Sequence, residues 1–353
     1  MKNKLETIQA LRGLAAFLVV VTHVAGTLSP HFINPSWLVS SKLYWLGGIG
    51  VDIFFCISGF IMFYTFDGRV GIIPSLKFFS KRILRIYPIY IIFSLWCLYF
   101  IKPQYLNDAA MVIDSLLLTA PTMSTGHPHL IIGQGWTLQY EMYFYIIFSL
   151  TILITNKLYF VAIVIALIYA IANFNPDFLG PYGNMTSNAV VFDFLLGMGV
   201  SWIYKRSSIF NSIKLNPLFC CLFIFALLSI SCYLSVFMKV QKLYSFGFIS
   251  CLILMVALFS SFSKSRFGSF FVFIGEASYT TYLIHLLPLG FIISFIRAYD
   301  LHDINADVFI MLSTLFITAL SLVLYVLLEK NIAFLTSGLF KKTTGKITDA
   351  KRA

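Results

Sequence analysis

The chain has 353 residues, of which 59% are hydrophobic and 11% charged, with a mean hydropathy of +0.88. A soluble domain carries roughly 25% charged residues, so this composition excludes a soluble globule, a disordered chain and a disulfide scaffold; the excess apolar surface must face lipid. The formal charge of +11 is read as loop marking rather than nucleic-acid binding, because Lys and Arg collect in the cytoplasmic loops of membrane proteins.

In chain order, ten apolar runs stand out, at about 11–28, 45–66, 84–101, 136–155, 158–174, 187–204, 218–238, 243–262, 270–296 and 307–328. They are apolar on all faces and longer than the alternating ~10-residue strands of a membrane barrel. The prediction is therefore an all-α, polytopic bundle of about ten transmembrane helices. The first run looks like the apolar core of a signal peptide. Arg12 interrupts it, however, no small-x-small cleavage pattern follows, and nine further runs come after it.

With the N-terminus placed inside, the alternating segments hold twenty Lys and Arg on the cytoplasmic side and five on the other (Lys42, Lys102, Lys239, Lys242 and Arg297). That asymmetry predicts N-in and C-in topology. Short loops imply one membrane domain over residues 1–335, followed by a basic cytoplasmic tail, 336–353, expected to be disordered. The longest outside loop, about 102–135, carries His127 and His129 and reads as a functional loop or lid. All six cysteines lie inside apolar runs with no CxxC or Cys/His cluster, so neither a metal site nor a disulfide framework is expected.

Ionisable residues within spans are costly and mark function by default. Arg12 lies at the cytoplasmic edge of the first run, and His23 eleven residues later, about 16 Å along a helix. Asp52, Glu141 and His285 fall at similar depths on the extracytoplasmic side by the same count. Lys81, Arg82 and Arg85 gather with Arg12 on the opposite side, and Arg82 and Arg85 share a helix face. Guanidinium forks suit phosphate oxygens. The plainer alternatives are lipid-headgroup anchoring for the arginines and a helix–helix hydrogen bond for His23. Trp136 and Tyr140 read as interface-belt aromatics. Glu276 and Glu329 read as interfacial, and Asp193 falls near mid-helix with no evident partner. The Gly47-Gly48-Ile49-Gly50 run is read as permitting close backbone approach.

At these residues the chain resembles the acyltransferase family 3 membrane proteins. Arg12 and His23 match the family's Arg-x10-His signature. The block Gly50-Val-Asp52-Ile-Phe-Phe-Cys-Ile-Ser58-Gly59-Phe, the Lys81-Arg82-Ile-Leu-Arg85-Ile-Tyr87-Pro88 block, Gly133-Gln-Gly135-Trp136-Thr-Leu-Gln-Tyr-Glu141 and Ala277-Ser278-Tyr279-Thr-Thr-Tyr282-Leu-Ile-His285 follow in the family's order. The fourth block most resembles the exopolysaccharide-production subgroup.

The resemblance implies an O-acyltransferase of a bacterial inner membrane. It implies acetyl-CoA or another acyl-CoA as cytoplasmic donor, no metal, and a polysaccharide sugar as acceptor, extracytoplasmic or carried on a polyprenyl lipid. Under that reading Arg12, Lys81, Arg82 and Arg85 would hold CoA phosphates. His23 would act as general base or as an acyl carrier, oriented by Asp52 or Glu141, and Trp136, Tyr140 and His285 would contact the acceptor. A transporter or flippase of a polar metabolite is the alternative from another class; a structural assembly subunit gives no reason for the buried charge.

Overall fold

The computed structural model describes residues 2–120, 130–260 and 266–336; His127, His129 and the tail beyond 336 lie outside the described residues. Those residues form helices joined by turns, with one isolated β-bridge between Leu215 and Ser260. The principal helices are α1 (Lys2–Leu28), α2 (Gly47–Thr65), α3 (Ile72–Phe100), α4 (Trp136–Ile154), α5 (Tyr159–Phe174) and α6 (Val191–Arg206). They are followed by α7 (Pro217–Cys232), α8 (Phe248–Phe259), α9 (Arg266–Glu276), α10 (Ser278–Ile284), α11 (Leu289–Ala298) and α12 (Ala306–Leu324).

Within the described residues the ten apolar runs are helical, because in lipid intrahelical bonding satisfies the backbone. Seven helical segments are long and apolar enough to cross a bilayer, or eight if α10 and α11 form one broken span. Tyr159–Phe174 and Leu243–Phe259 are apolar but shorter.

The ninth run departs from the expected single helix. It divides into α9, α10 and α11, with a 53° bend between the last two. Pro288 explains the break: it has no N–H to donate, and its ring obstructs the preceding turn. The chain crosses residues 285–288 as a turn, with Leu287 N donating to Ile284 O at 2.9 Å, and resumes as α11.

α2 is the central helix, packed chiefly against α6 and α1. Glycines set these crossings. A Cβ on Gly50 would meet the Ala15 carbonyl of α1; one on Gly59 would collide with the Phe194 carbonyl, and one on Gly197 with the Cys56 carbonyl. The small residues therefore bring α2 into backbone contact with both neighbours, as in membrane helix pairs generally. A buried aromatic stack of Phe55, Phe194 and Phe144, with centroids 4.6 and 4.1 Å apart, joins α2, α6 and α4.

Candidate active site

A cavity of about 70 Å³ opens between α1, α2, α3, α4 and α10. Arg12, Arg82 and Arg85 line it together with Glu141, Ser58, Tyr145, Ser278, Tyr279 and Tyr282. Arg12 is buried, Arg82 half-buried and Arg85 exposed, so positive charge runs from the protein interior to the cavity's open side. Arg12 Nη1 donates to Gln9 Oε1 at 3.1 Å. The Arg82 guanidinium lies 5.4 Å from the Phe78 ring centre and 5.5 Å from that of Tyr145, within cation–π range.

None of the three arginines has a carboxylate oxygen within 4 Å among the described residues. Glu141 instead accepts from the Tyr145 hydroxyl at 3.1 Å, and Glu329 from Thr280 Oγ1 at 2.5 Å. Both carboxylates still act on Arg12 through space. Guanidinium groups that converge without direct ion pairs leave their forks available to an anion. Lys81 is exposed and outside the cavity lining.

Arg12 and the α3 arginines lie deeper than their expected position at a helix edge. α1 begins at Lys2 and α3 at Ile72, so Arg12 and Arg82 are each ten residues, about 15 Å, into their helices. That depth brings them level with Glu141 in the cavity wall. Glu141 therefore sits with the arginines, rather than in the layer that holds His23.

His23 forms a second centre with His285. Their ring centroids are 4.9 Å apart with the planes tilted by 56°. Nδ1 of His23 lies 2.9 Å from the Val19 carbonyl, and Nδ1 of His285 lies 2.7 Å from that of Tyr282. A carbonyl can only accept, so Nδ1 is the donor in both rings, and Nε2 is the nitrogen that a neutral ring leaves as acceptor. His23 is exposed, whereas His285 is fully buried and its Nε2 has no hydrogen-bond partner among the described residues.

Tyr282 joins the two centres: its side chain lines the arginine cavity, while its carbonyl holds His285. Gln134 fixes this element from the side, donating from Nε2 to Leu283 O at 3.2 Å and accepting at its own carbonyl from Tyr282 (3.4 Å) and Thr137 (3.1 Å). Tyr279, also in the cavity wall, donates to Ile86 O at 2.8 Å and so ties α10 to the arginine-bearing α3.

Asp52 lies in a third place. Its buried carboxylate has Lys242 Nζ 3.3 Å away and neighbours Asp193, whose own buried carboxylate oxygens have no hydrogen-bond partner among the described residues. Asp193 lies in the first turn of α6, not at its middle. Neither Asp52 nor Glu141 comes within 4 Å of a His23 ring nitrogen among the described residues, so the group packed against His23 is an imidazole and not a carboxylate. Tyr140 is buried against Phe55 and Trp136, with ring centroids 6.0 and 5.7 Å away. It is a core residue instead of an interface-belt aromatic.

Ser58 and Tyr145 line the cavity without a role assigned to them from the sequence, and Glu329, read there as interfacial, lies near enough to act on Arg12. Tyr145 carried one usable signal, its spacing of four residues from Glu141, which puts both on one helix face.

The model of a family described as an acyltransferase domain matches residues 5–328. The chain belongs to this acyltransferase family. Its matched region contains every residue of the arginine cavity and both histidines. The chain is 35% identical over 109 residues to the exopolysaccharide production protein ExoZ of Rhizobium meliloti (strain 1021). That alignment covers 30% of this chain and 34% of the relative, so it spans about a third of the curated protein. No solved structure matches.

Proposed function

We propose that this protein transfers an acyl group, acetyl first among the choices, from acyl-CoA to a hydroxyl of a surface-polysaccharide sugar. The observation that carries this reading is the junction of two centres: an anion-ready arginine cavity and an accessible imidazole, linked through Tyr282. Membership of the acyltransferase family supports the reaction class, and the similarity to an exopolysaccharide production protein supports a polysaccharide acceptor.

The twenty-to-five bias of basic residues favours a cytoplasmic arginine side with N-in, C-in topology in a bacterial inner membrane. Arg12, Arg82 and Arg85 would engage the donor's phosphates, with Lys81 at the rim. In direct transfer, His23 Nε2 takes the proton of the sugar hydroxyl as its oxygen attacks the thioester carbonyl. The carbon–sulfur bond breaks, and the proton passes to the departing CoA thiolate. In a relay, His23 Nε2 attacks the thioester carbonyl and CoA leaves as the thiolate; the sugar oxygen then attacks the acyl-imidazole, the carbon–nitrogen bond breaks, and the hydroxyl proton passes by way of the freed Nε2 to the CoA thiolate. The buried ring of His285 orients His23 in either route. Asp52 and Glu141, expected as the orienting acids, have roles here in the Lys242 cluster and in the arginine cavity.

The deciding experiment is CoA release from acetyl-CoA by purified protein in nanodiscs, with transferred acetyl followed by mass spectrometry. Release that depends on Arg85 and His23 is expected. An acyl adduct on His23 after donor alone selects the relay, and its absence in an active preparation selects direct transfer. A transporter is the second reading, favoured by the broken α10–α11 pair, because interrupted helices line transport sites. Transport of a polar metabolite without CoA release would establish it in place of acyl transfer.

A further inference from the structure

Ser278 is the first residue of α10 and lines the arginine cavity. It is fully buried, and its hydroxyl has no hydrogen-bond partner among the described residues. Other hydroxyls in these helices bond the carbonyl four residues back, as Thr281 does to Ala277, Thr314 to Ile310 and Ser321 to Ile317. The tyrosine and threonine hydroxyls of the cavity wall are committed as well. Tyr145 donates to Glu141, Thr137 and Tyr282 to the Gln134 carbonyl, and Tyr279 to Ile86 O. Buried polar groups are normally paired, so an unpaired hydroxyl beside guanidinium groups without direct ion pairs is a donor placed for a ligand.

The position of Ser278 along the bundle decides which part of a ligand it meets. α1 runs beside α9 and α10 in the same direction: Gly275 packs against Gln9 and Gly13 at the inner end, and His285 against His23 at the outer. Ten residues separate Gly13 from His23 and ten separate Gly275 from His285, so the two paths keep register. Arg12 lies about 16 Å below His23, and Ser278 about 10 Å below His285, at 1.5 Å per residue. Ser278 therefore stands roughly 6 Å outward of Arg12, between the guanidinium groups and the histidines. The arm of an acyl-CoA has about thirteen bonds from phosphorus to sulfur, roughly 16 Å at ~1.2 Å per bond of extended chain. Its first amide carbonyl comes about five bonds from the phosphorus, or roughly 6 Å.

We propose that Ser278 Oγ donates to the first amide carbonyl of the donor's pantetheine arm while Arg12, Arg82 and Arg85 hold the phosphates. The proposal rests on the acyl-CoA reading above and adds to it a residue that recognises the arm rather than the phosphates. A neutral hydroxyl suits a neutral carbonyl, and the charged forks suit phosphate oxygens. Tyr282, the outermost lining residue of α10, stands between Ser278 and His285, so the assignment concerns the half of the arm next to the phosphates.

The test is calorimetric titration of the full chain in nanodiscs with CoA and with adenosine 3′,5′-bisphosphate, which keeps the nucleotide phosphates and lacks the arm. Ser278→Ala should weaken CoA binding about threefold to tenfold, the share of one neutral hydrogen bond, and leave the bisphosphate unchanged. In turnover, KM for acetyl-CoA should rise by the same factor with kcat unchanged, because the contact is made equally in the ground and transition states. Thermal unfolding without ligand should be unchanged or raised, because an unpartnered hydroxyl holds nothing in the folded protein.

Equal weakening of both ligands, unchanged CoA affinity, or a ligand-free variant that melts below wild type would overturn the assignment. The first would put the hydroxyl on a phosphate, the second on no part of the donor, and the third on a partner within the protein. Wild-type protein that binds neither ligand defeats the acyl-CoA reading and the assignment with it. Wild-type binding of CoA that Ser278→Ala leaves intact defeats the assignment alone.

Discussion

His23 and His285 face each other across 4.9 Å, each ring held by donation from Nδ1 to a carbonyl of its own segment. The exposed member, His23, is placed to receive a proton, and the buried one limits the rotation of its neighbour. His23→Ala should lower transfer by about 10²–10⁴, the usual contribution of a general base. His285→Gln should cost less, leave the KM for acyl-CoA unchanged and alter the pH dependence of kcat, because it changes the group against His23 without touching the arginine cavity. Steady-state kinetics on both variants checks this. Near-wild-type turnover by His23→Ala would remove it from both the direct and relay schemes.

Arg85 is the exposed arginine of the cavity and Arg12 the buried one. A charge-assisted hydrogen bond contributes about 1.5–3 kcal/mol, so Arg85→Ala should weaken acyl-CoA binding by roughly 10- to 150-fold while sparing the folded state. Arg82→Lys should not restore full affinity in place of Arg82. A point charge lacks the planar fork and stacks less well on the Phe78 and Tyr145 rings that flank the guanidinium. Calorimetric titration with CoA reads both effects, and unchanged affinity in Arg85→Ala would place the donor's phosphates elsewhere.

Much of this site was legible as motif and little of it as contact. The Arg-x10-His spacing correctly put Arg12 and His23 on one continuous helix, because α1 has no proline before Pro30. The count of helix depth failed for Glu141 because polar residues at the start of α1 and α3 are helical too, which carries the arginines inward. The bend after His285 had a signal in Pro288, whose ring breaks helices. The Asp52–Lys242 pair had none: it joins residues 190 positions apart, and lateral neighbours in a bundle follow from packing, which periodicity does not report. Gly47 and Gly50 did read correctly as sites of close approach to α1.

Gly197 fixes how α6 meets α2. Its missing side chain leaves room for the Cys56 carbonyl, and Gly59 does the same for that of Phe194. Gly197→Leu must separate the two backbones, and overpacking of this kind costs about 1–3 kcal/mol. Because α2 also supplies Phe54, Phe55 and Ser58 to the cavity wall, the shift should lower both thermal stability and CoA affinity. Gly199, with open space where its Cβ would lie, provides the control: Gly199→Ala should leave both measurements unchanged.

The Asp52–Lys242 contact supplies the sharpest stability test. Asp52 is 1% exposed and Lys242 45% exposed, so the interaction is asymmetric: the carboxylate depends on the lysine far more than the lysine on it. Removing the cation with Lys242→Met leaves two buried carboxyls, Asp52 and Asp193, facing each other with no positive charge beside them. An unsatisfied buried polar group costs about 1–3 kcal/mol, and breaking a buried pair from one side is worse than removing both. Asp52→Asn in the Lys242→Met background should therefore recover part of the lost thermal stability, while the reciprocal single variant Asp52→Asn should cost little because Lys242 can turn to solvent. Thermal unfolding of the four proteins in one detergent closes the cycle. Additive losses, with no recovery in the double variant, would show that the 3.3 Å contact contributes nothing to holding the segment before α8 against α2.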